Sequence, residues 1–346
     1  MAQKIVVLPG DGIGPEVTAS AVEVMKRLAP FEFAEFPFGA AAIACCGVPL
    51  TTEALAECRL ADAVFAGAVG TATHQTAPGE PTAGSGLLRL RTELQLYANI
   101  RPVRAWPALQ GLTPLRAELV AGADLVIVRQ LTGGLYSGAA GRSATAAYDT
   151  CTYTVAEVNS IARVAFGLAS AAGRRGRVTS VDKANVLETS RLWRDTVSMM
   201  GQQEFPDVEL EHMLVDSAAL ALVSDPRHFD VLVTENMFGD ILSDEAAAIT
   251  GSLGMLPSAS FGDGSCALFE PVHGSAPDIA GAGIANPCGA ILSAALLLRR
   301  LLGRDREAEA VEIAVEGALN RGIRTPDLGG TATTAEVTRA VLNGLD

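Results

Sequence analysis

Lys4-Ile5-Val6-Val7-Leu8-Pro9-Gly10-Asp11-Gly12-Ile13-Gly14-Pro15 is the stretch on which the fold turns. Its β-branched run reads as a buried strand, and the glycines after it permit a tight turn and close approach of backbone to a ligand. The spacing resembles a dinucleotide fingerprint, but the third glycine is misplaced and Pro15 stands where the helix should offer an N–H. The stretch therefore reads as a structural turn into a helix over Pro15–Leu28, with proline in its first turn. Outward from it, strands expected at Ala63–Ala66, Ala98–Val103, Leu125–Val128, Val178–Val181 and Val231–Val233 alternate with helical patterns. Helices are expected at Leu87–Leu96, Val155–Ala172, Ile241–Ile249, Ala290–Leu302 and Ala308–Leu319, and Thr51 or Thr52 caps another before Ala63. Such alternation predicts an α/β protein around a largely parallel sheet. Thr71–Ser85, rich in Thr, Gly, Pro and Ala, reads as a surface loop.

The 346 residues suffice for two domains. Hydrophobic residues make up 49%, charged residues 19% and aromatic residues 5%, the mixture of a globular chain with an ample aliphatic core. A net charge of −13 argues against nucleic-acid or anionic-membrane partners. Handling a small polyanion therefore requires local concentration of arginine. Six cysteines (Cys45, Cys46, Cys58, Cys151, Cys266, Cys288) show no metal-finger spacing and read as buried small hydrophobes in a reducing compartment. Gly289–Leu298 is too short to span a membrane, and no signal peptide precedes Lys4, so a cytoplasmic location is expected.

Four constellations carry chemistry. Arg91 and Arg101, with Arg129 at the end of a buried strand, could clamp two carboxylates, since a guanidinium there is expensive unless it meets an anion; surface ion pairs are the competing reading. Asp240 and Asp244 stand four apart on a helix and share one face. Their oxygens suit Mg²⁺ or Mn²⁺, with Asp216 as a third ligand, although a solvated face has the same pattern. Lys183, just past a buried strand, is placed for proton transfer or for simple snorkelling. Glu270–Gly281 with Ile284–Pro287 forms a long loop that could wrap an adenosine, Asp278 accepting from ribose hydroxyls and repelling a 2′-phosphate.

In this order, Gly10–Pro15, Arg91/Arg101, Arg129 with Leu131–Tyr136, Val181–Val186, Asn236–Asp244 and His273–Pro287 resemble the isopropylmalate/isocitrate dehydrogenase family, the metal-dependent β-decarboxylating dehydrogenases. The likeness covers nearly the whole chain and is nearest to the isopropylmalate branch through Phe238–Asp244, Leu256–Ser260 and His273–Asn286. It implies two α/β domains flanking a cleft, not a Rossmann fold. Residues 1–99 and 252–346 would form the cofactor-side domain, and 100–251 the domain of the dimer interface and metal. It implies that Arg91, Arg101 and Arg129 hold the malate carboxylates, with Asp216 beside the substrate as well. Asp216, Asp240 and Asp244 would hold Mg²⁺ or Mn²⁺. Lys183 would take the hydroxyl proton as hydride leaves C2, and Tyr136 would protonate C3 after CO₂ departs. Ile13, Glu270, His273, Gly274, Ser275, Ala276, Asp278, Ala285 and Asn286 would meet NAD. A homodimer follows from the resemblance, with Lys183 and Asp216 reaching the neighbouring subunit's site.

The resemblance implies NAD-dependent oxidative decarboxylation of a 3-substituted (2R)-malate, foremost 3-isopropylmalate to 2-oxo-4-methylpentanoate and CO₂. The isocitrate branch carries a Ser-x-Asn pair where this chain has Ser85-Gly86-Leu87, so Leu87, Leu88 and Val186 would form an apolar wall. Burying an alkyl group there contributes about 0.8 kcal/mol per CH₂, whereas an unpartnered carboxylate would cost several. Gln130, Gly84 and Ser137–Arg142 depart from the isopropylmalate pattern and remove bulk and charge, which keeps other 3-alkyl, 3-aryl or tartrate-like acids as alternatives. A catalytically silent regulatory subunit is the other class of function, but no lysine, tyrosine, arginine or aspartate of the set is lost.

Overall fold

The computed structural model describes residues 2–70 and 81–345, and the chain falls into two compact units. The expected loop at Thr71–Ser85 lies largely outside the described residues. Its last part is helical: a helix spans Ala83–Glu93, with the Thr82 side chain accepting from the Ser85 N–H. Sequence placed that helix four residues late because Gly84 and Gly86 are weak helix formers. A Cβ at Gly86 would come within 2.9 Å of the Pro49 carbonyl oxygen, so the close approach of backbone explains the glycine.

Unit 1 comprises residues 1–96, 106–112 and 250–346. Its strands lie in the order Glu32–Glu35, Lys4–Leu8, Ala63–Ala66, Ala267–Pro271 and Pro257–Phe261; the first four are parallel and the last is antiparallel. The helix Cys288–Arg300 buries every residue from Cys288 to Leu298. It packs against the helices Gly14–Leu28 and Asp305–Asn320 and against the strands Pro257–Phe261 and Ala267–Pro271. An all-round apolar helix is the signature of an element sandwiched on every side. Its one buried hydroxyl, Ser293, is satisfied by the carbonyls of Gly289 (2.8 Å) and Glu270 (3.0 Å).

The opening turn is structural, as its sequence suggests. Gly10 and Gly12 have φ of +78° and +58°, and Asp11 between them accepts from the N–H groups of Ala40, Ala41 and Gly70 at 2.9–3.0 Å. The Ile13 N–H donates to the Ser275 carbonyl at 2.8 Å. The carboxylate of Asp11 thus ties two segments, Ala40–Ala41 and Gly70, to one turn.

Unit 2 comprises residues 97–105 and 113–249. Its strand order is Ala98–Arg104, Asp124–Gln130, Val231–Thr234, Arg177–Asp182 and Glu209–Leu214; the first pair is antiparallel and the rest are parallel. The helices Val155–Ala169 and Glu188–Glu204 pack on it, the former opened by a capping box between Thr154 and Glu157. A short hairpin, Ala140–Arg142 with Ala147–Asp149, stands largely exposed.

Two expectations need correction. The helix placed at Ile241–Ile249 begins at Asn236 and runs to Glu245, with a short second helix at Ala247–Thr250. The Glu235 carboxylate caps it by accepting from the Phe238 N–H, a signal the apolar pattern does not carry. Of the six cysteines, Cys58, Cys266 and Cys288 are buried and Cys151 is half-buried, but Cys45 and Cys46 are exposed. They end the short helix Ala40–Cys46, of which only Ala42 reaches the core. No helix among the described residues is long and apolar enough to cross a membrane.

Glycine substitutions separate collision from backbone strain. A Cβ at Gly12 would stand 1.9 Å from the Ser275 carbonyl oxygen, whereas at Gly47, with φ +75°, it meets nothing within 4 Å. Gly47→Ala should cost about 1 kcal/mol and Gly12→Ala about 3 kcal/mol or more in urea unfolding. Equal losses at the two positions would mean that the turn's close approach does not constrain the fold.

Candidate functional site

In unit 2 the strand Ala98–Arg104 pairs antiparallel with Asp124–Gln130, placing Asn99 opposite Arg129 and Arg101 opposite Ile127. Paired residues share a face, so Asn99, Arg101 and Arg129 stand on the same side of the sheet. The helix Asn236–Glu245 packs there and presents Asn236, Asp240, Ser243 and Asp244, which fall on one face at helical spacing. Arg129 and Arg101 are 3% and 6% exposed. Charges so buried must be partnered.

The partners come from that helix. Asn236 Oδ1 accepts from Arg129 Nε at 3.1 Å and Nη2 at 2.9 Å, while Arg129 Nη1 reaches Asp240. The Asn236 amide in turn donates to the carbonyls of Leu131 (2.9 Å) and Gly133 (3.2 Å), which fixes its orientation. Arg101 donates to Asn99 Oδ1 at 2.7 Å and Ser243 Oγ at 2.6 Å, and its guanidinium lies 3.5 Å from Asp244 and 3.7 Å from Asp240. Gly239 makes room: a Cβ there would fall 2.6 Å from Arg129 Cγ. The Tyr136 hydroxyl donates to Asp240 Oδ2 at 3.1 Å, and its ring lies 5.8 Å from the Arg129 guanidinium. Burial and the Asp240 carboxylate push the Tyr136 phenol above its ordinary value, so it keeps its proton at neutral pH. The Asp244 carboxyl is raised by burial, with Arg101 acting against the shift.

Lys183 donates to Asp216 Oδ1 at 2.6 Å, and that hydrogen bond holds the Asp216 carboxyl below its usual range. Among the described residues no group of three His, Cys, Asp or Glu could hold a metal, so Asp216 does not join Asp240 and Asp244 within one chain. Of the expected apolar wall, Leu87 is half-buried against the core of unit 1 that includes Leu50 and Leu90, and Leu88 is exposed. Val186, in unit 2, is exposed too. Gln130 is fully buried; it donates to Thr132 Oγ1 at 2.9 Å and accepts from the Gly133 N–H at 2.8 Å, holding the turn after its strand.

In unit 1, Ile13, His273, Ala285 and Asn286 line a single cavity of ≈ 410 Å³ with Ser252, Gly254, Ile279, Ile284, Pro326 and Asp327. Glu270, Gly274, Ser275, Ala276 and Asp278 do not line it. Glu270 instead accepts from Arg91 Nη2 at 2.9 Å. Ser275 offers its carbonyl to Ile13, Ala276 has φ +37°, and Asp278 and Gly274 are exposed. His273 is 8% exposed; its Nδ1 meets the Gly274 carbonyl at 2.9 Å, while its Nε2 is buried without a hydrogen-bond partner. The Asn286 amide donates to Asp327 Oδ2 at 3.0 Å. Sequence reading missed Asp327 because it lies 41 residues from Asn286, in a turn with no periodic signal. It also missed the partnering role of Asn236, Ser243 and Asn99.

A family model described as "Isocitrate/isopropylmalate dehydrogenase" matches residues 4–341. The chain belongs to this family of decarboxylating dehydrogenases. It is 51% identical to a 3-isopropylmalate dehydrogenase of Anaeromyxobacter dehalogenans, with all of both chains covered. It is 54% identical to one of Geobacillus kaustophilus, covering 94% of this chain and 90% of the relative. Among solved structures it resembles an isocitrate dehydrogenase from Methylococcus capsulatus, with TM-score 0.90, 35% identity and 99% of both chains covered. A β-decarboxylating dehydrogenase from Thermococcus kodakarensis gives TM-score 0.82 at 41% identity over 99% of this chain and 96% of that one.

Burial holds the imidazoles of His273 and His212 below their ordinary value of 6.5. The unfolded chain then takes up protons first as the pH falls, so stability is complete above about pH 6.5 and is lost below it. The urea midpoint should drop between about pH 7.5 and about pH 5.5. The drop should shrink in a His212→Gln/His273→Gln variant; an unchanged drop would assign it to other groups.

Proposed function

We propose that the chain is an NAD-dependent dehydrogenase that oxidatively decarboxylates 3-isopropylmalate, in the pathway that makes leucine. The observation that carries this reading is the convergence of Arg101, Arg129 and Tyr136 on Asp240 and Asp244 along one helix face. The substrate assignment draws on full-length relatives at about half identity that bear the name 3-isopropylmalate dehydrogenase.

The donor sets fit the groups this reaction needs. Asp240 and Asp244 offer hard carboxylate oxygens with side chains still 39% and 58% exposed, suited to Mg²⁺ or Mn²⁺. His273, whose buried Nε2 has no hydrogen-bond partner, lines a cavity whose mixed apolar and polar lining suits an adenine ring. When bound, the metal ion supplies Lewis acidity at the C2 oxygen and NAD accepts the hydride.

This chain's residues then divide the work. Arg91, Arg101 and Arg129 would hold the carboxylates bidentately and fix C2 and C3 in place. Lys183, as the neutral amine, would accept the C2 hydroxyl proton, and Asp216, its hydrogen-bond partner, would orient it. Tyr136, which keeps its proton, would donate it to C3 once CO₂ has left. Leu87, Leu88 and Val186 would shelter the isopropyl group from water. Ile13, Ala285 and Asn286 would contact the adenine with His273. Glu270, Gly274, Ser275 and Ala276 would shape the surrounding loop, and Asp278 would accept from the ribose. A homodimer in which Lys183 and Asp216 serve the neighbouring subunit's site would complete the ligand set that one chain leaves at two aspartates. The unit around Asp240 would then hold the metal, substrate and dimer contacts, and the unit around His273 the cofactor.

Purified protein with Mn²⁺, NAD and 3-isopropylmalate should form NADH faster than with malates carrying other C3 groups, isocitrate and tartrate included. Lys183→Met should lower kcat by about a hundredfold or more while NAD binding is kept. NADH formation from none of the panel would end this reading, and a variant within tenfold of wild type would end the role of Lys183. Asp278→Lys with Ile279→Tyr should shift preference toward NADP, measured as the ratio of kcat/KM for the two cofactors; an unmoved ratio would show that Asp278 does not read the ribose.

A further inference from the structure

Cys45 and Cys46 close the helix Ala40–Cys46, and both are free and exposed. Adjacent helical residues do not ordinarily face one another. Here the sulfurs nevertheless approach to 3.1 Å, and the Cys45 thiol also lies 3.6 Å from the Ala42 carbonyl oxygen. Gly47, in the left-handed region, turns the chain away, and nothing stands within 4 Å of its missing Cβ. The pair therefore has open space on one side. The other thiols differ: Cys58, Cys266 and Cys288 are buried, and burial pushes them up to about 12, about 11 and about 12. Cys151 is half-buried and lies 3.9 Å from the Thr189 hydroxyl.

We propose that Cys45 and Cys46 form a dithiol site that captures a trivalent arsenical, both sulfurs binding one arsenic. Soft sulfur donors select soft, thiophilic centres, and two sulfurs already in contact can bridge one atom without rearranging the helix. The chemistry balances without an oxidant. An arsenoxide and two thiols yield a dithioarsenite and one water: two arsenic–sulfur bonds form, and the arsenic–oxygen bond breaks. The oxygen leaves with both thiol protons, and arsenic stays trivalent. After the first sulfur binds, the second attack is intramolecular, which favours the chelate over any single thiol in solution. The Cys46 thiol is raised chiefly by its hydrogen bond to Cys45, so capture should accelerate as pH rises and the thiolate forms. The proposal does not rest on the dehydrogenase assignment.

The test uses the full chain, phenylarsine oxide and native intact-mass spectrometry. Wild type should carry one phenylarsenic adduct that survives excess glutathione and is removed by dimercaptopropanol. Cys45→Ser and Cys46→Ser should each lower retention by about a hundredfold, and the double variant should take no retained adduct. The proposal is overturned if wild type takes no adduct, if glutathione strips it, or if the double variant keeps it, which would place the arsenic on the remaining cysteines.

Discussion

The burial of two guanidinium groups is the constraint on which unit 2 depends. Arg101 and Arg129 cannot shed their charge, and an unpartnered buried cation would destabilise the unit by several kcal/mol. The helix Asn236–Glu245 answers with an amide, a hydroxyl and two carboxylates on one face. Packing and chemistry therefore cannot be separated here. The helix docks against the strand through the same atoms that hold the arginine forks in a fixed direction. Gly239 is part of that arrangement, because any side chain there would push the Arg129 stem aside. Asn236 carries an uncommon share: it accepts twice, donates twice from its amide, and its backbone N–H donates to the Tyr153 hydroxyl. Tyr153 in turn donates to the helix-capping Glu235. The orientation of Arg129 is thus set through a chain of bonds that ends at the helix cap.

Unit 1 solves a different problem. Its central helix is apolar on every side, and its loops must still reach over one cavity. Asp11 fixes the opening turn with three backbone hydrogen bonds, and Ile13, which lines the cavity, joins the Ser275 loop directly. Glycines at positions 10 and 12 are required because their φ is positive and their Cβ atoms would meet carbonyl oxygens. The same residues that resemble a dinucleotide fingerprint serve here as a joint between loops.

Strands with short apolar, buried runs were legible, as at Ala63–Ala66 and Val231–Thr234, whereas the more polar or exposed Glu32–Glu35, Glu209–Leu214, Ala140–Arg142 and Ala147–Asp149 were missed, as were Pro257–Phe261 and Ala267–Pro271. The parallel arrangement followed from their alternation with helices. Helix starts were less legible, since Thr82 and Glu235 cap through side chains that composition alone does not separate from other polar residues. Arg129 stood out as a charge ending an apolar strand, and Asp240 and Asp244 as like charges four apart. What completes them could not be read. Asn236 lies 107 residues from Arg129 and Ser243 lies 142 from Arg101, so only the docked helix brings them together. Asp327 was silent for the same reason, a distant turn meeting Asn286. The exposed cysteines were misread because burial was inferred from residue type, whereas their short helix turns only Ala42 inward.

This division bears on how substrate preference can change. Under the assignment proposed above, Arg101, Arg129 and Asp240 are locked to one another, so altering any of them disturbs the helix packing too, whereas Arg91 and Lys183 are paired elsewhere, with Glu270 and Asp216. The residues assigned to the C3 substituent are not locked in that way. Leu88 and Val186 are exposed, and exchanging either side chain removes little packing. Leu87 differs, because it leans on the apolar cluster around Leu50 and Leu90, and truncating it would open space in that cluster. Gln130 is likewise committed to its turn, bonded to Thr132 and the Gly133 N–H in the loop before Tyr136. On that assignment, preference among 3-substituted malates would drift through positions 88 and 186 while Arg101, Arg129, Asp240 and Lys183 kept the reaction fixed.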